Sequence, residues 1–235
     1  MNEHPLQRLK ELRDETARLM LMYKFALKEI ETKIDILTEE FQMLHDYNPI
    51  EHVKSRLKTP ESILKKIQRK GGARSLSEIR EKILDIAGIR IICSFISDIY
   101  RIKDMLIRQR DLKVLAIKDY IEHPKPNGYM SLHMLVEIPV FMSDREENVC
   151  VEIQIRTIAM DFWASLEHKI FYKYNRSIPS HLTDELKASA EAAYELDLKM
   201  ERLQHEIKEI RTEHPDYEEW VPQALLELLQ IEHSK

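Results

Sequence analysis

Residues 148–156 read NVCVEIQIR, a stretch in which aliphatic side chains alternate with polar or charged ones. Side chains of a β-strand point alternately to its two faces, so this stretch predicts a strand with one apolar and one polar face. The polar face carries Glu152, Gln154 and Arg156. A half-exposed edge strand produces the same alternation, so the pattern alone leaves a functional face and a solvated face both open.

Three further stretches are short and rich in β-branched residues, which favours strands: 87–95 (AGIRIICSF), 112–121 and 131–139. Residues 98–110, between the first two of these stretches, are predicted to form a helix. A strand–helix–strand unit followed by a strand pair, which turns through 143–147, implies a mixed sheet.

Helical patterns flank the predicted sheet on both sides. Residues 6–45 carry apolar side chains at helical spacing without glycine or proline, which predicts one long helix or two stacked ones. A second helix is predicted over 50–69, ending at Gly71-Gly72. A third, 75–84, begins at a capping box, and the pattern is helical again over 157–178.

The C-terminal segment contains a heptad seam, because its apolar positions alternate spacings of four and three. The seam consists of Leu182, Leu186, Ser189, Ala193, Leu196, Met200, Leu203, Ile207 and Ile210. Such a seam requires another helix to pack on. That helix is either the N-terminal helix of the same chain or a helix of a second subunit, and the sequence leaves both open. A last amphipathic helix is predicted over 217–231.

These patterns predict an α/β (α+β) fold, with a mixed central sheet flanked by helices and with long helices at both termini. The chain divides into an N-terminal helical segment, a core and a C-terminal helical segment that we assign to oligomerisation. Their bounds are 1–47, 48–178 and 179–235.

Composition excludes several classes of protein. Only four of the 235 residues are glycines, at 71, 72, 88 and 128, so neither a dinucleotide-binding fingerprint nor a Walker P-loop is present. No apolar run approaches the ~18 residues of a membrane span, and the charged N-terminus does not resemble a signal peptide. Two cysteines without metal-ligand spacing indicate a reducing compartment. We therefore expect a cytoplasmic protein without membrane contact.

Positive charge is concentrated in one segment of a chain whose net charge is −5. Residues 54–74 contain eight basic side chains and one acid, a local charge of +7. In the predicted second helix Ser62, Lys66 and Arg69 share one face, with Arg56 and Lys58 at its start. Converging cations suit phosphate groups, although a solvated charged face is an equally good interpretation.

Three charged residues in and beside the predicted strands need partners. Arg90 lies among aliphatic residues, where a guanidinium requires either a counterion or an anionic ligand. Asp85 and Glu152 are the best candidates to share a Mg²⁺ ion, which takes one or two carboxylates together with substrate phosphates. Either carboxylate is alternatively a structural partner of Arg90 or Arg156.

The turn 123–129 (HPKPNGY) contains two prolines and a glycine, so it is stiff. It is followed by a predicted strand that carries His133 near its start. Tyr129 at the end of this turn either stacks on a base or caps the core.

Four stretches together resemble the synthetase domain of RelA/SpoT-type alarmone enzymes. They are 52–71 (HVKSRLKTPESILKKIQRKG), 85–95 (DIAGIRIICSF), 125–133 (KPNGYMSLH) and 152–169 (EIQIRTIAMDFWASLEHK). The resemblance is strong over residues 48–175, and the short chain is similar to the stand-alone small alarmone synthetases. It implies a nucleotidyltransferase-like synthetase sheet, Mg²⁺ as cofactor and a homo-oligomer, typically a tetramer.

The resemblance also implies a reaction, transfer of the β,γ-pyrophosphate of ATP to the 3′-hydroxyl of GDP or GTP, which yields (p)ppGpp and AMP. Glu152 and Asp85 would hold Mg²⁺, and Glu152 would also polarise or deprotonate the acceptor hydroxyl. The residues implied for ATP are Arg56 and Arg90, on either side of the adenine, and Lys58, Ser62, Lys66 and Arg69, on the phosphates. Those implied for GDP or GTP are Lys118, Tyr129, His133, Gln154, Arg156 and Asp161, with Tyr129 stacked on guanine and His133 near the phosphates.

The sequence departs from the family at two places. Met130 stands where the family usually has a polar residue, often arginine, and before the turn only Lys118-Asp119 matches the longer enzymes' signature. The pair His45-Asp46 lacks the further ligands of a hydrolase, so we expect a synthetase without hydrolase activity. The alternative from another class is a catalytically weak regulator that binds nucleotides or RNA on the same scaffold.

Overall fold

The computed structural model describes residues 5–72, 75–171 and 179–213. These residues fall in two units, of which the first ends at Asp197 and the second begins at Leu198. The strands are β1 (Ile50–Leu57), β2 (Ala87–Cys93), β3 (Lys113–Asp119), β4 (Leu132–Phe141) and β5 (Glu146–Thr157). The helices are α1 (Pro5–Leu44), α2 (Pro60–Arg69), α3 (Leu76–Lys82), α4 (Ile96–Ile107), α5 (Ile158–Phe171) and α6 (Ser180–Glu213).

The five strands form one mixed sheet in the order β1-β2-β5-β4-β3. β2 and β5 are parallel, and the other neighbours are antiparallel. The predicted mixed sheet is therefore confirmed. β5 lies in the middle of the sheet with a partner on each side, so the alternation in NVCVEIQIR does not come from an edge strand.

The helix predicted over 50–69 is wrong in its first half. Residues 50–57 form β1, an edge strand antiparallel to β2, and the helix begins only at Pro60. The Thr59-Pro60 junction explains the break, because a residue before proline is displaced from the helical region. Thr59 is extended and caps α2 by accepting a hydrogen bond from the Ser62 backbone. Arg56 and Lys58 consequently lie on and just after a strand, not at the start of a helix.

One face of the sheet is covered by apolar packing. Val149, Val151, Ile153 and Ile155 of β5 are at most 1% exposed, and β5 contacts both α1 and α4. α1 is a single long helix and buries Ile30 completely. Since the apolar face is sealed, the alternate residues of β5 face the opposite side, which is left for polar groups.

α6 confirms the predicted helix over the described part of the seam. Within the first unit Ala190 and Asp197 are buried, whereas Leu196 is 53% exposed. In the second unit Leu203, Ile207 and Ile210 are each more than half exposed.

The helix predicted over 217–231 lies wholly outside the described residues, and so does the end of the one predicted over 157–178. Among the described helices, none has both the length and the apolar character that a membrane crossing requires.

Candidate active site

The polar face of the sheet gathers side chains from three adjacent strands. In the register of β2 with β5, Arg90 lies opposite Gln154 and Gly88 opposite Glu152. In the register of β4 with β5, His133 lies opposite the same Gln154. Residues opposite one another in neighbouring strands point to the same face, so five of the positions named in the sequence meet here once Arg156 is included.

A closed hydrogen-bonded network connects this face. Arg156 donates to the Tyr129 hydroxyl and, at 2.8 Å, to the Gln154 amide oxygen. The Gln154 amide nitrogen donates to Glu152 at 2.9 Å. On the other side the Tyr129 hydroxyl lies 2.8 Å from Nε2 of His133, and Nδ1 of His133 lies 3.3 Å from Glu152. We call these five residues the polar network.

The hydrogen-bond donors and acceptors of the polar network form one consistent set. The Tyr129 oxygen accepts from Arg156, so its own proton is directed to Nε2 of His133. The proton on Nδ1 of His133 is then the one that faces Glu152. Burial raises the pKa of Tyr129, which keeps the phenol protonated at neutral pH as this arrangement requires.

Glu152 is ionised in this setting. Burial alone raises the pKa of Glu152, but its interactions with His133, followed by the hydrogen bond from Gln154, outweigh burial. The net result is a pKa below the ordinary glutamate value. Asp85 is near enough for its negative charge to act in the opposite direction on Glu152.

Asp85 precedes β2 and is surrounded by lysines. Its Oδ2 accepts a hydrogen bond from Lys66 at 2.6 Å and lies 3.2 Å from the Lys58 ammonium group. Burial raises the pKa of Asp85, but both lysines outweigh it and the pKa is lowered. In the part of the chain that the structure describes, Asp85 Oδ1 is buried without a hydrogen-bond partner.

This oxygen and the carboxylate of Glu152 fit a hard divalent cation. Mg²⁺ prefers ionised carboxylate oxygens, and it completes its shell with water and substrate phosphate. Over residues 5–72, 75–171 and 179–213, no group of three or more His, Cys, Asp or Glu side chains is placed to hold a metal. A site with two carboxylates, as Mg²⁺ accepts, agrees with both observations.

Arg90 and Arg156 share a different counterion from those considered in the sequence. Asp161, in the first turn of α5, lies 2.9 Å from Arg90 and 3.3 Å from Arg156. In the described part of the chain, the ion pairs of Arg90 and Arg156 are thus with Asp161 and not with Asp85 or Glu152. Arg90 Nε is buried and, among the described residues, lacks a hydrogen-bond acceptor.

Only some of the polar and basic residues predicted to bind phosphate come together in the structure. Lys58 and Lys66 converge on Asp85, whereas Ser62 and Arg69 of α2 are exposed. Arg56 is exposed on β1, where it pairs with Gly88.

At the other edge of the sheet, Lys118 of β3 is exposed at the register position opposite His133, so it lies on the same face as the polar network.

Sequence reasoning missed three residues at this site. Lys125 places its ammonium 4.5 Å above the Tyr129 ring and 4.6 Å above the Tyr120 ring. Tyr120 in turn makes an edge contact with His133. Ser131 accepts a hydrogen bond from Arg156 Nε at 3.2 Å. Of these three residues, only Lys125 could have been identified from the sequence, by its position in the stiff turn 123–129.

Met130 does not face the polar network. Its side chain is 8% exposed and lines a small apolar cavity with Met160, Trp163 and Ala190. A polar or cationic side chain at this position would enter the core, so Met130 does not leave a gap among the polar groups.

Comparisons with known proteins identify relatives of this chain. Residues 55–177 match the family described as "Region found in RelA / SpoT proteins". The chain is 53% identical over 199 residues to the GTP pyrophosphokinase YwaC of Bacillus subtilis, a match that covers 85% of this chain and 95% of that protein.

Two crystal structures of small alarmone synthetase 1 from Bacillus subtilis are also similar. The one bound to its product pppGpp superposes with a TM-score of 0.76 at 39% identity and covers 82% of this chain and 98% of that one. The one bound to AMPCPP superposes with a TM-score of 0.70 at 36% identity and covers 83% and 99%. The matched segment is more than half of the chain and includes the whole polar network, so the chain belongs to the RelA/SpoT family.

Proposed function

We propose that this protein is a GTP pyrophosphokinase that transfers the β,γ-pyrophosphate of ATP to the 3′-hydroxyl of GDP or GTP, without hydrolase activity. The observation that carries the proposal is an ionised Glu152 linked through His133 to Tyr129, beside a second carboxylate held by lysines. One relative is named for the same activity, and related structures hold pppGpp and AMPCPP. These nucleotide substrates also make the cytoplasm the expected location.

The acceptor nucleotide would bind along the Tyr129 side of the polar network. Tyr129 would stack on guanine, since an aromatic side chain held on a stiff loop offers a fixed π surface. The remaining acceptor residues that we propose are Lys118, His133, Gln154, Arg156 and Asp161.

ATP would bind on the β1–β2 side of the sheet. Arg56 pairs with Gly88, and Lys54 pairs with Arg90, so Arg56 and Arg90 are diagonal neighbours on adjacent strands. Diagonal side chains start roughly 7–8 Å apart, which leaves room for a flat ring between two guanidinium planes. We therefore keep the proposal that both arginines sandwich adenine. Lys58, Ser62, Lys66 and Arg69 would contact the phosphates.

The residues that would hold Mg²⁺ are Asp85, through its unpartnered oxygen, and Glu152. When bound, the ion would neutralise charge on the transferred pyrophosphoryl group. Asp85 binds Lys58 and Lys66 in the structure, and these lysines are thereby positioned beside the proposed phosphate site.

The chemical step forms one bond and breaks one. The 3′-oxygen of the acceptor attacks the β-phosphorus of ATP, and the bond from that phosphorus to the α–β bridging oxygen breaks, which releases AMP. Glu152 accepts the proton of the attacking hydroxyl. Its lowered pKa keeps it ionised at neutral pH, and the hydrogen bond from His133 orients it.

The seam of α6 adds a proposal about assembly. Leu203, Ile207 and Ile210 are more than half exposed, and a stripe of large apolar side chains on a helix is typical of an interface. We propose that residues 179–235 assemble copies of this chain into a homo-oligomer, for which the family resemblance implies a tetramer.

A product assay tests the function. Purified protein with ATP, GDP or GTP and Mg²⁺ is expected to produce AMP in step with a guanosine nucleotide that elutes later from an anion exchanger. Glu152→Gln keeps the size of the side chain but removes the charge, and we expect it to lower kcat by at least about 100-fold. Glu146→Gln, at an exposed position of the same strand, is the matched control. ATP left intact by the unmodified protein, or converted only to ADP, contradicts the proposal.

Two substitutions at Tyr129 separate the aromatic ring from the hydroxyl. Tyr129→Ala removes a stacking surface worth about 1–3 kcal/mol, so we expect the acceptor KM to rise roughly 5- to 150-fold while the ATP KM stays within about 2-fold. Tyr129→Phe keeps the ring and loses only the bonds to His133 and Arg156, and its acceptor KM is expected to rise less. Initial-rate kinetics with each substrate varied give both constants. An equal rise in the KM values for the acceptor and for ATP would contradict guanine stacking on Tyr129.

Seam substitutions test assembly. Leu203→Ser combined with Ile207→Ser deletes apolar surface from the seam, and we expect a lower molar mass by light scattering. Glu206→Ser combined with Glu209→Ser changes exposed polar positions of the same helix and is expected to leave the mass unchanged. An unchanged molar mass in the seam variant would contradict a subunit interface and favour packing of the seam within one chain.

A further inference from the structure

The first half of α6, residues 180–197, packs against the loop that carries Tyr129, which we call the acceptor loop (residues 123–130). Gly128 of this loop faces Ala190 of the helix. Gly128 adopts a φ of +88°, and a Cβ placed there would lie 2.7 Å from the Ala190 Cβ. Both residues must therefore be small for the helix and the loop to meet at this distance.

A tryptophan of α5 fixes the same contact from a second direction. The indole N–H of Trp163 donates to the backbone oxygen of Leu186 at 3.0 Å. Trp163 and Ala190 belong to a small buried apolar cluster, and Tyr129 and Leu186 pack against it. The Tyr129 side chain thus rests on the junction of α5 and α6.

A buried hydrogen bond ties α6 to the start of α5. The Thr157 hydroxyl donates to Asp197 at 2.6 Å and accepts from the Met160 backbone N–H at 3.1 Å, and both Thr157 and Asp197 are buried. Thr157 directly follows Arg156, and Met160 directly precedes Asp161. The bond therefore anchors the short segment that supplies two members of the site.

We infer that Ala190, Trp163 and Asp197 are positioning residues for the acceptor nucleotide. The first half of α6 then determines the affinity for the acceptor, in addition to the role in assembly proposed above for the C-terminal segment. The inference rests on the proposed function for the identity of the acceptor. None of the three residues belongs to the polar network. Ala190 and Trp163 act by fixing the Tyr129 ring, and Asp197 acts by anchoring the segment that supplies Arg156 and Asp161. Loss of base stacking on an aromatic side chain weakens binding roughly 5- to 150-fold.

The test compares two leucines on one helix. Ala190→Leu forces side-chain atoms against Gly128, whereas Ala188→Leu makes the same change at an exposed position. For Ala190→Leu we expect the Kd of a fluorescent GDP analogue and the acceptor KM to rise, by up to the roughly 5- to 150-fold that loss of base stacking on Tyr129 would cost. The Kd of AMPCPP and the ATP KM are expected to stay within about 2-fold. Ala188→Leu should behave as the unmodified protein.

A second variant serves if Ala190→Leu does not fold. Trp163→Phe keeps an aromatic side chain but loses the bond to Leu186, and a rise of about 5-fold in the Kd of the GDP analogue is expected. No change for the GDP analogue, or an equal loss of GDP analogue and AMPCPP, overturns the inference. Failure of the proposed function would look different, because the unmodified protein would then bind nucleotides without producing AMP.

Discussion

The guanidinium of Arg156 is the group on which the site depends, because it is a buried charge that must be neutralised. It is 3% exposed. An unpaired charge in such surroundings costs several kcal/mol, and removing one partner of a buried pair is strongly destabilising. Arg156 meets this requirement with Asp161, Gln154, Ser131 and the Tyr129 hydroxyl. These partners lie on β5, on α5 and on the acceptor loop with the residue that follows it, so the need to pair one charge aligns three parts of the chain.

Hydrogen bonds through neutral side chains also connect the Arg156 guanidinium to Glu152, the proposed catalytic base. Tyr129 and His133 on one side and Gln154 on the other connect Arg156 to Glu152, and each is fixed by two hydrogen bonds. A carboxylate oriented in this way is ready to accept a proton without reorganisation of its surroundings, which is the usual source of catalytic power in charge-dominated reactions. The sealed apolar face of the sheet makes this possible, because it fixes the direction in which Glu152, Gln154 and Arg156 of β5 point.

Local patterns predicted the parts of the fold that local interactions determine. The alternation in 148–156, the strands before it and the long terminal helices were predictable, because one sealed face imposes its period on each element. The strand 50–57 was not, because its pairing with β2 joins residues far apart in sequence and its own side chains are mostly exposed. The ion pair between Arg90 and Asp161 could not be predicted for the same reason, since these residues are 71 positions apart in the sequence. The resemblance named Asp161 for the acceptor side, but no pattern showed that it forms ion pairs with two arginines.

Position-specific labelling of ATP distinguishes transfer of pyrophosphate from transfer of a single phosphoryl group, because it reports which bond breaks. Radioactive phosphorus at the β-position is predicted to appear in the guanosine product, whereas label at the α-position is predicted to appear only in AMP. This result would show that the two terminal phosphoryl groups move together as pyrophosphate. Label from the β-position that remains in ADP, with only the γ-phosphoryl group transferred or released, would contradict the account.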